Sequence, residues 1–451
     1  MEEKVTVQSV SELFESKDYT SLRNLLAEID PYDIAVIFEQ LGNKELPIIF
    51  RLLPKELAAE VFVEMESDLQ KDLISSFNDK ELEDMLKELY VDDTVDIMEE
   101  MPANVVKRIL SRTDSETRGF INEILKYPKD SAGSIMTVEY IRLDESMTVA
   151  DAFKRIRRIG FDRETIYTCY VTEPDKKLIG LVTVKDLLLT DEDSLIGDIM
   201  QRNVIYVNTT DDREFVAQEM NKYDFLAIPV VDGEKRLVGI VTIDDAMDVL
   251  QEETTEDIQK MAGINPSGKP YLKTSVFHLW YKRIPWLMLL MVSATFTGSI
   301  ISAFEDAISA MVVLAVFIPM LMDTGGNSGG QAAATIIIGL SLGDISKKDI
   351  LKVIWKEFRV ALICGFTLSV VGFAKAMIID KTDVLTALVV CITLIFVVII
   401  AKVTGCVLPI FAKRLGFDPA VMSSPIITTV VDVLALLVYF GIATALLPQL
   451  K

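Results

Sequence analysis

The chain has 451 residues, of which 50% are hydrophobic, and a formal net charge of −22 at pH 7. The charge is uneven: 57 of the 67 acidic residues precede residue 271, where the net charge is −26, whereas the remaining part carries +4. A strongly acidic soluble part excludes electrostatic binding to nucleic acid and favours cations as partners. We therefore expect a multidomain chain with an acidic soluble region followed by a membrane region.

Residues 1–130 are predicted to form an all-α array of short, acidic helices. Apolar residues recur at helical spacing around Leu22 and again around Leu82. Prolines such as Pro31 and Pro54 separate consecutive helices. A unit of roughly 30 residues recurs along this region, which is typical of helical repeats.

Residues 131–250 contain an internal repeat. The segment KLIGLVTVKDLLL at 177–189 matches RLVGIVTIDDAMD at 236–248 with an offset of 59 residues. Each copy is a strand rich in β-branched residues, followed by an acidic residue that opens a helix. The repeat resembles a tandem CBS pair, an α/β module, and the alternative is an unrelated α+β domain.

Residues 251–272 are predicted to form a connecting helix and a linker, because an acidic helical stretch is followed by a break rich in Pro, Gly and Ser. Residues 273–451 are predicted to form a transmembrane domain of five helices, since about 20 apolar residues cross the core of a bilayer. The predicted spans lie near residues 284–304, 309–340, 357–379, 385–411 and 421–447.

The loop charges predict the orientation of these spans. The loops after the second and fourth spans contain Lys352 and Lys413, whereas the loop after the first span contains Glu305 and Asp306. Basic loops stay on the cytoplasmic side. The N-terminus is charged and has no apolar stretch typical of a signal peptide. We expect a multi-pass protein of the cell membrane, with a cytoplasmic N-terminus and the C-terminus outside.

Asp432 is the first candidate functional residue, because it lies about midway along an otherwise uncharged span. A carboxylate at that depth is costly and usually faces a water-filled pathway or a partner. Hydrated Mg²⁺ is commonly bound by one or two carboxylates and water, and Thr428, one turn earlier, offers a further oxygen. The alternative is an ion pair with Lys402, which lies within the fourth span.

A glycine-rich segment, DTGGNSGGQ at 323–331, interrupts the second predicted span. Its glycines permit either an unwound turn that lines a wet cavity or close packing of helices. A phosphate-binding loop is excluded, because no Gly-Lys-Ser/Thr follows. With Thr428, the residues predicted to line the pathway are Gly325, Gly326, Asn327 and Gln331.

Acidic residues in the soluble part stand at helical spacing without obvious basic partners. Asp92 and Asp96 share one face of a helix, as do Asp245 and Asp248. Such pairs repel unless water or a cation solvates them. A solvated face is the simpler interpretation for any single residue, whereas the set as a whole predicts a sensor for divalent cations.

With these features combined, the chain resembles the MgtE family of Mg²⁺ channels and transporters over nearly its whole length. The most specific motifs are PMLMDTGGNSGGQ at 319–331, LGFDPAVMSSP at 415–425 and TTVVD at 428–432. The resemblance implies a homodimer with a pore on its two-fold axis, and it identifies the connecting segment as a plug helix. It implies Mg²⁺ ligands at Asp432, Asp418, Glu60, Asp92, Asp96, Gly133 (through its carbonyl), Asp212, Asn221 (through its carbonyl), Asp224, Asp245, Asp248, Glu253, Glu256 and Asp257.

The predicted function is Mg²⁺ import down the electrochemical gradient through a channel-like transporter that cytosolic Mg²⁺ closes. The chain is not expected to be an enzyme, and Mg²⁺ is the expected substrate and regulator. One alternative is a proton-coupled exporter that uses Asp432 as its proton site. Another is a membrane-anchored sensor whose CBS pair binds adenine nucleotides, and such binding is also compatible with the first hypothesis.

Overall fold

The computed structural model describes residues 7–41, 45–267, 271–346, 348–422 and 424–450. Its contacts divide the chain into two compact units, Met1–Leu250 and Gln251–Lys451. Residues 268–270 of the predicted linker lie outside the described residues.

The N-terminal part of the first unit consists of short helices, as predicted. Asp30 caps one of them directly before Pro31, and Asn78 and Glu81 form a reciprocal capping box on another, so local sequence sets where these helices begin. The helices are α1 (Val7–Glu15), α2 (Tyr19–Leu26), α3 (Pro31–Glu39), α4 (Leu46–Phe50), α5 (Lys55–Val63), α6 (Ser67–Ser76), α7 (Asp79–Leu86), α8 (Val91–Glu100), α9 (Ala103–Arg112) and α10 (Ser115–Ile124).

Phe50 connects the helices of this array through aromatic contacts. Its ring centroid lies 6.4 Å from that of Phe38, 6.2 Å from Phe62 and 5.7 Å from Phe77. All four rings are buried. Three of the rings come from α3, α4 and α5 and the fourth directly follows α6, so their burial holds neighbouring helices together.

The internal repeat folds as two equivalent three-stranded sheets. In each sheet the first strand pairs in parallel with the second, and the second pairs antiparallel with the third. The first repeat contains β1 (Ile141–Leu143), α11 (Val149–Ile159), β2 (Thr168–Thr172), β3 (Leu178–Thr183) and α12 (Val184–Leu189). After α13 (Ile196–Ile199), the second contains β4 (Val207–Asn208), α14 (Arg213–Tyr223), β5 (Ala227–Val231), β6 (Leu237–Thr242) and α15 (Ile243–Met261).

The same local bond opens the last helix of both repeats. Thr183 and Asp186 form a capping box, and Thr242 Oγ1 donates to Asp245 Oδ2 at 2.6 Å. α15 begins at Ile243 and continues to Met261, so the predicted connecting helix is the second half of this longer helix. The division between the two units falls within α15.

Long helices dominate the second unit. They are α16 (Val276–Ala303), α18 (Val313–Ser341), α19 (Ile350–Ile378), α20 (Val384–Leu415) and α21 (Ser424–Leu446), with the short α17 (Glu305–Ala310) before α18. Among the described residues, four helices have the length and apolar composition of a membrane span, namely α16, α19, α20 and residues Pro425–Leu446 of α21. α18 is as long as α19 but carries the polar segment 323–331.

The predicted interruption of the second span is wrong, because α18 is one continuous helix through Pro319 and the glycines. The physical reason is close packing. A Cβ on Gly325 would lie 2.8 Å from Val397 of α20 and 2.8 Å from Val431 of α21. The glycines therefore let the two neighbouring helices approach, and this contact stabilises the helix against the low propensity of glycine.

Candidate cation sites in the two units

Asp432 lies on α21 with an unsatisfied carboxylate. Its Oδ1 is buried and receives no hydrogen bond from the described residues. The alternative of an ion pair with Lys402 is wrong, because the Lys402 ammonium lies 3.7 Å from Glu357 of α19. Both of those side chains are largely buried, so Lys402 is already neutralised. A half-buried carboxylate without a protein partner is suited to water or a cation.

The glycines of α18 face Thr428 and its neighbours on α21. A Cβ on Gly326 would lie 2.7 Å from Cγ2 of Thr428, and one on Gly329 would lie 2.8 Å from Cγ2 of Ile427. Distances this short exclude any larger residue unless the helices move apart. The structure thus brings Gly325 and Gly326 against the segment of α21 that carries Thr428.

Asn327 and Gln331 lie on a different face of α18 from Gly325 and Gly326. Both are exposed, together with Asp323 and Thr335, so that four polar residues follow one another at a spacing of four. Asn327 Nδ2 donates to Asp323 Oδ1 at 3.0 Å. A row of polar groups is poorly solvated by lipid, so this face requires water or a protein partner.

Asp418 lies in the connection between α20 and α21 and has several partners. It accepts a hydrogen bond from the Ala420 amide at 2.8 Å and another from the Lys260 ammonium at 2.6 Å. Lys260 also forms an ion pair with Glu256, one turn earlier in α15. Burial lowers the pKa of Lys260, but the hydrogen bonds to the two carboxylates outweigh it and raise the pKa above its usual value.

A buried acidic cluster occupies the first unit, where α8 lies close to the start of α15. Asp92 is only 8% exposed, and burial followed by the charge of Asp245 raises its pKa well above the usual value. Burial and neighbouring acids raise the pKa of Asp93 to about 7, that of Glu164 to about 8 and that of Asp245 to about 6. We call these four residues the acidic cluster.

The acidic cluster is electrostatically unfavourable without a cation. Burial is the largest cause of each raised pKa, and charges of other acids add to it. In the described ranges, no group of three or more His, Cys, Asp or Glu side chains stands close enough to hold a metal ion. Two carboxylates suffice for a hydrated Mg²⁺, which keeps most of its water.

Asp93 and Glu164 are members of the cluster that the sequence patterns do not identify. Asp93 follows Asp92 directly and is partly buried, whereas Asp96, one turn later in α8, is exposed. Glu164 lies in the loop between α11 and β2, and its Oε2 is buried without a hydrogen-bond partner in the described residues. Only their proximity in the fold reveals them.

The remaining predicted ligands fall into separate places. Glu60 lies in α5, one turn before Glu64 at the end of that helix, and burial and the charge of Asp248 raise the pKa of Glu64. Asp212 caps the start of α14, whereas Asp224 follows its end in a left-handed conformation. Eleven helical residues stand between them, a separation of about 18 Å along the helix, so one chain does not place both at one ion.

The last predicted ligands to be placed are Gly133, Asp257, Asn221 and Glu253. The Gly133 amide donates to the Thr209 carbonyl at 2.9 Å, near Asp212, and a Cβ on Gly133 would collide with the ring of Tyr127. Asp257 accepts a hydrogen bond from Ser341 Oγ at 3.4 Å. Asn221 lies in the last turn of α14, and Glu253 lies in α15 beside Glu256.

An acid-bearing bundle of apolar helices, joined to a helical array and a CBS pair, defines a membrane transporter of cations. The divalent cation transporter family matches residues 318–442, its intracellular N-terminal domain matches residues 29–130, and the CBS domain matches residues 132–192 and 196–252. The chain belongs to the MgtE family of magnesium transporters, which confirms the resemblance predicted from its motifs.

Individual relatives are similar in sequence to this chain over nearly its whole length. It is 37% identical to the magnesium transporter MgtE of Thermus thermophilus, covering 99% of both chains, and 36% identical to that of Bacillus subtilis, covering 95% of this chain and 94% of the relative. It is similar to a solved cytosolic domain of the Mg²⁺ channel MgtE in complex with ATP (TM-score 0.52, 36% identity, 54% of this chain and 99% of that chain).

A second solved structure, the soluble part of a magnesium transporter, matches with a TM-score of 0.52 and 33% identity over 55% of this chain and 97% of that chain. The chain is therefore a multi-pass membrane transporter of Mg²⁺ and not an enzyme, as predicted. The helical N-terminal domain and the CBS pair are likewise confirmed.

Proposed function

We propose that the chain conducts Mg²⁺ into the cell as a channel-like transporter driven by the membrane potential, and that cytosolic Mg²⁺ closes it. The observation that carries the proposal is Asp432, whose buried oxygen has no protein partner in the described residues while Lys402 is paired with Glu357. For two charges, a potential of 100 mV contributes about 4.6 kcal/mol to entry. This makes a separate energy source unnecessary.

The proposed pathway runs beside α18 and α21. We count α18 as the fifth membrane span, since it has 29 residues and packs on α20 and α21. Gly325 and Gly326 support the pathway by allowing close contacts with Val431 and Thr428 of α21. Asn327 and Gln331 offer oxygens and amides to the water around the ion. Five spans and the basic loops place the N-terminus in the cytoplasm and the C-terminus outside.

The exposed polar face of α18 supports a homodimer. A second copy related by a two-fold axis covers such a face, whereas lipid does not solvate it. The same symmetry brings two Asp432 carboxylates to one hydrated Mg²⁺, which matches the preference of this ion for few protein ligands. The lipid bilayer surrounds the remaining apolar helix faces.

The sensing of cytosolic Mg²⁺ is assigned to the acidic residues outside the spans. Mg²⁺ between α8 and α15 relieves the repulsion within the acidic cluster and so favours a compact first unit. The second half of α15 acts as the plug helix. The proposed ligands are Glu60, Asp92, Asp96, Gly133, Asp212, Asn221, Asp224, Asp245, Asp248, Glu253 and Asp257, to which we add Asp93 and Glu164. Glu256 and Asp418, which the resemblance also implies as ligands, are paired with Lys260 and are left out of this set.

An adenine nucleotide is proposed as a further ligand of the CBS pair. The similar cytosolic domain was solved in complex with ATP. A cleft lined by Arg202, Tyr206 and Lys235 offers positive charge and an aromatic ring in an otherwise acidic unit. These groups suit phosphates and a base.

Uptake measurements on purified full-length chain in liposomes test the proposal. Asp432→Asn keeps the shape of the side chain and removes its charge, so we expect Mg²⁺ entry to fall at least about tenfold when the interior is negative. Asp306→Asn, an acid in the short α17, is the matched control and should conduct like the parent. Unchanged entry in Asp432→Asn, or entry that follows a pH gradient and not the voltage, would contradict the proposal.

A further inference from the structure

Lys260 lies between two carboxylates that belong to different parts of the second unit. Its ammonium donates to Asp418 Oδ2 at 2.6 Å and contacts Glu256 Oε1. Glu256 lies in the second half of α15, whereas Asp418 lies before α21, 158 residues after Lys260. The side chain of Lys260 is only 23% exposed, so water competes weakly for these bonds.

The segment around Lys260 is seated on the membrane helices by several further contacts. Met261 packs against a core cluster that includes Ile427 and Val431 of α21. Gly263 has a φ of +69°, and a Cβ there would lie 3.2 Å from Pro425. The end of α15 is therefore fixed against the first turns of the helix that carries Asp432.

The charges explain why a cation is needed at this contact. Glu256 and Asp418 would repel each other if the end of α15 docked without one. A divalent ion can bridge two carboxylates, but so can an ammonium group on a flexible stem. Lys260 supplies that ammonium from within α15 itself. Unlike Mg²⁺, this cation is therefore present at the contact whatever the ion concentration of the cytosol.

We propose that Lys260 is a positioning residue that acts as a tethered cation, fastening the end of α15 to Asp418 and so giving closure of the pathway a component that is independent of Mg²⁺. The proposal rests on the proposed function, in which the second half of α15 is the plug helix. Cytosolic Mg²⁺ at the other proposed ligands then further stabilises the docked end of α15, which Lys260 already holds in place. Lys260 thereby sets the Mg²⁺ concentration at which the transporter closes.

The first test is the internal Mg²⁺ concentration that halves the current of the full-length chain in patch recordings. Lys260→Gln keeps a polar side chain and removes the charge, and we expect this concentration to rise about tenfold because two charge-assisted bonds are lost. Lys352→Gln, an exposed lysine paired with Asp349, is the matched control and should leave it unchanged. Exchanging the charges, with Lys260→Asp and Asp418→Lys together, should restore most of the response.

The second test reports docking without any need for transport. Hydrogen exchange of residues 255–261 is measured in the full-length chain in lipid nanodiscs without divalent ions. We expect Lys260→Gln to exchange about tenfold faster than the parent, and Lys260→Arg to exchange like it. If no variant conducts Mg²⁺ at all, the proposed function fails while the exchange rates still decide the role of Lys260.

Two results would overturn the inference. One is an unchanged exchange rate in Lys260→Gln, which would show that the ammonium does not hold the helix end. The other is a lower half-closing Mg²⁺ concentration in that variant, which would show that Lys260 competes with Mg²⁺ for Asp418 and opposes closure.

Discussion

Replacing Asp93 by Asn should stabilise the docking of α8 in the absence of Mg²⁺ and weaken its response to the ion. Burial, followed by the charges of Asp245 and Asp244, raises the pKa of Asp93 from 3.8 to about 7. Such a change corresponds to about 4 kcal/mol for a fully desolvated group, and partial exposure of the side chain reduces it to about 2 kcal/mol. Asn keeps the shape and removes this repulsion.

The dependence on pH has a defined sign. An acid whose pKa is raised in the folded state binds its proton more tightly there than in the open state, so stability increases as pH falls. For Asp93 and Glu164 this change in stability occurs between about pH 8 and pH 4, since their pKa values rise to about 7 and about 8 from usual values near 4. Without divalent ions, α8 should therefore be less protected at pH 8 than at pH 5.

Hydrogen exchange of α8 in the full-length chain, corrected for the chemical exchange rate at each pH, measures the free energy of local opening. At pH 8 without Mg²⁺, Asp93→Asn should raise this opening free energy by about 2 kcal/mol. Adding Mg²⁺ should then change the opening free energy of the variant less than that of the parent. Asp68→Asn, in the first turn of α6, is the control. Lower protection in Asp93→Asn, or parent protection that increases with pH, would refute the electrostatic account.

Three further predictions concern the second unit. Gly326→Val should cut Mg²⁺ uptake severely, because even its Cβ would lie 2.7 Å from Thr428, and lower thermal stability in detergent should accompany the loss. Glu357→Gln should destabilise the chain by about 3 kcal/mol, because it leaves Lys402 charged, buried and unpaired. Replacing both Glu357 and Lys402 by Met should restore the thermal midpoint of unfolding. Equal midpoints for the parent, Glu357→Gln and the double variant would contradict this reasoning. Gly263→Ala should speed hydrogen exchange at the end of α15, because φ is +69° there, and Gly298→Ala, with open space around it, should not.

The sequence predicts best those elements whose determinants are local. The strand followed by Thr-x-x-Asp in both CBS repeats is predicted and observed, because Thr183 and Asp186 bond each other across a single turn. The helices of the N-terminal array are predicted from apolar spacing and from prolines, and Pro31 and Pro54 do stand at the starts of α3 and α5.

Features that depend on distant contacts escape prediction. The glycines at 325–330 predict an interrupted span, yet α18 is continuous because α20 and α21 pack into the space that the glycines leave. Lys260 carries no motif, and its partner Asp418 lies 158 residues away. Asp432 is identified by its depth in an apolar segment, whereas the neutralisation of Lys402 by Glu357 requires the fold.

The pair of Glu357 and Lys402 has a consequence for biosynthesis. Either charge alone costs about 3 kcal/mol when its helix enters the lipid phase singly. Because α19 ends at Ile378 and α20 starts at Val384, the two form a hairpin. Ser369 and Cys391 also exchange bonds between them. We expect the translocon to release both helices together, with Glu357 and Lys402 paired, so that two opposite charges on consecutive helices set the order of membrane integration.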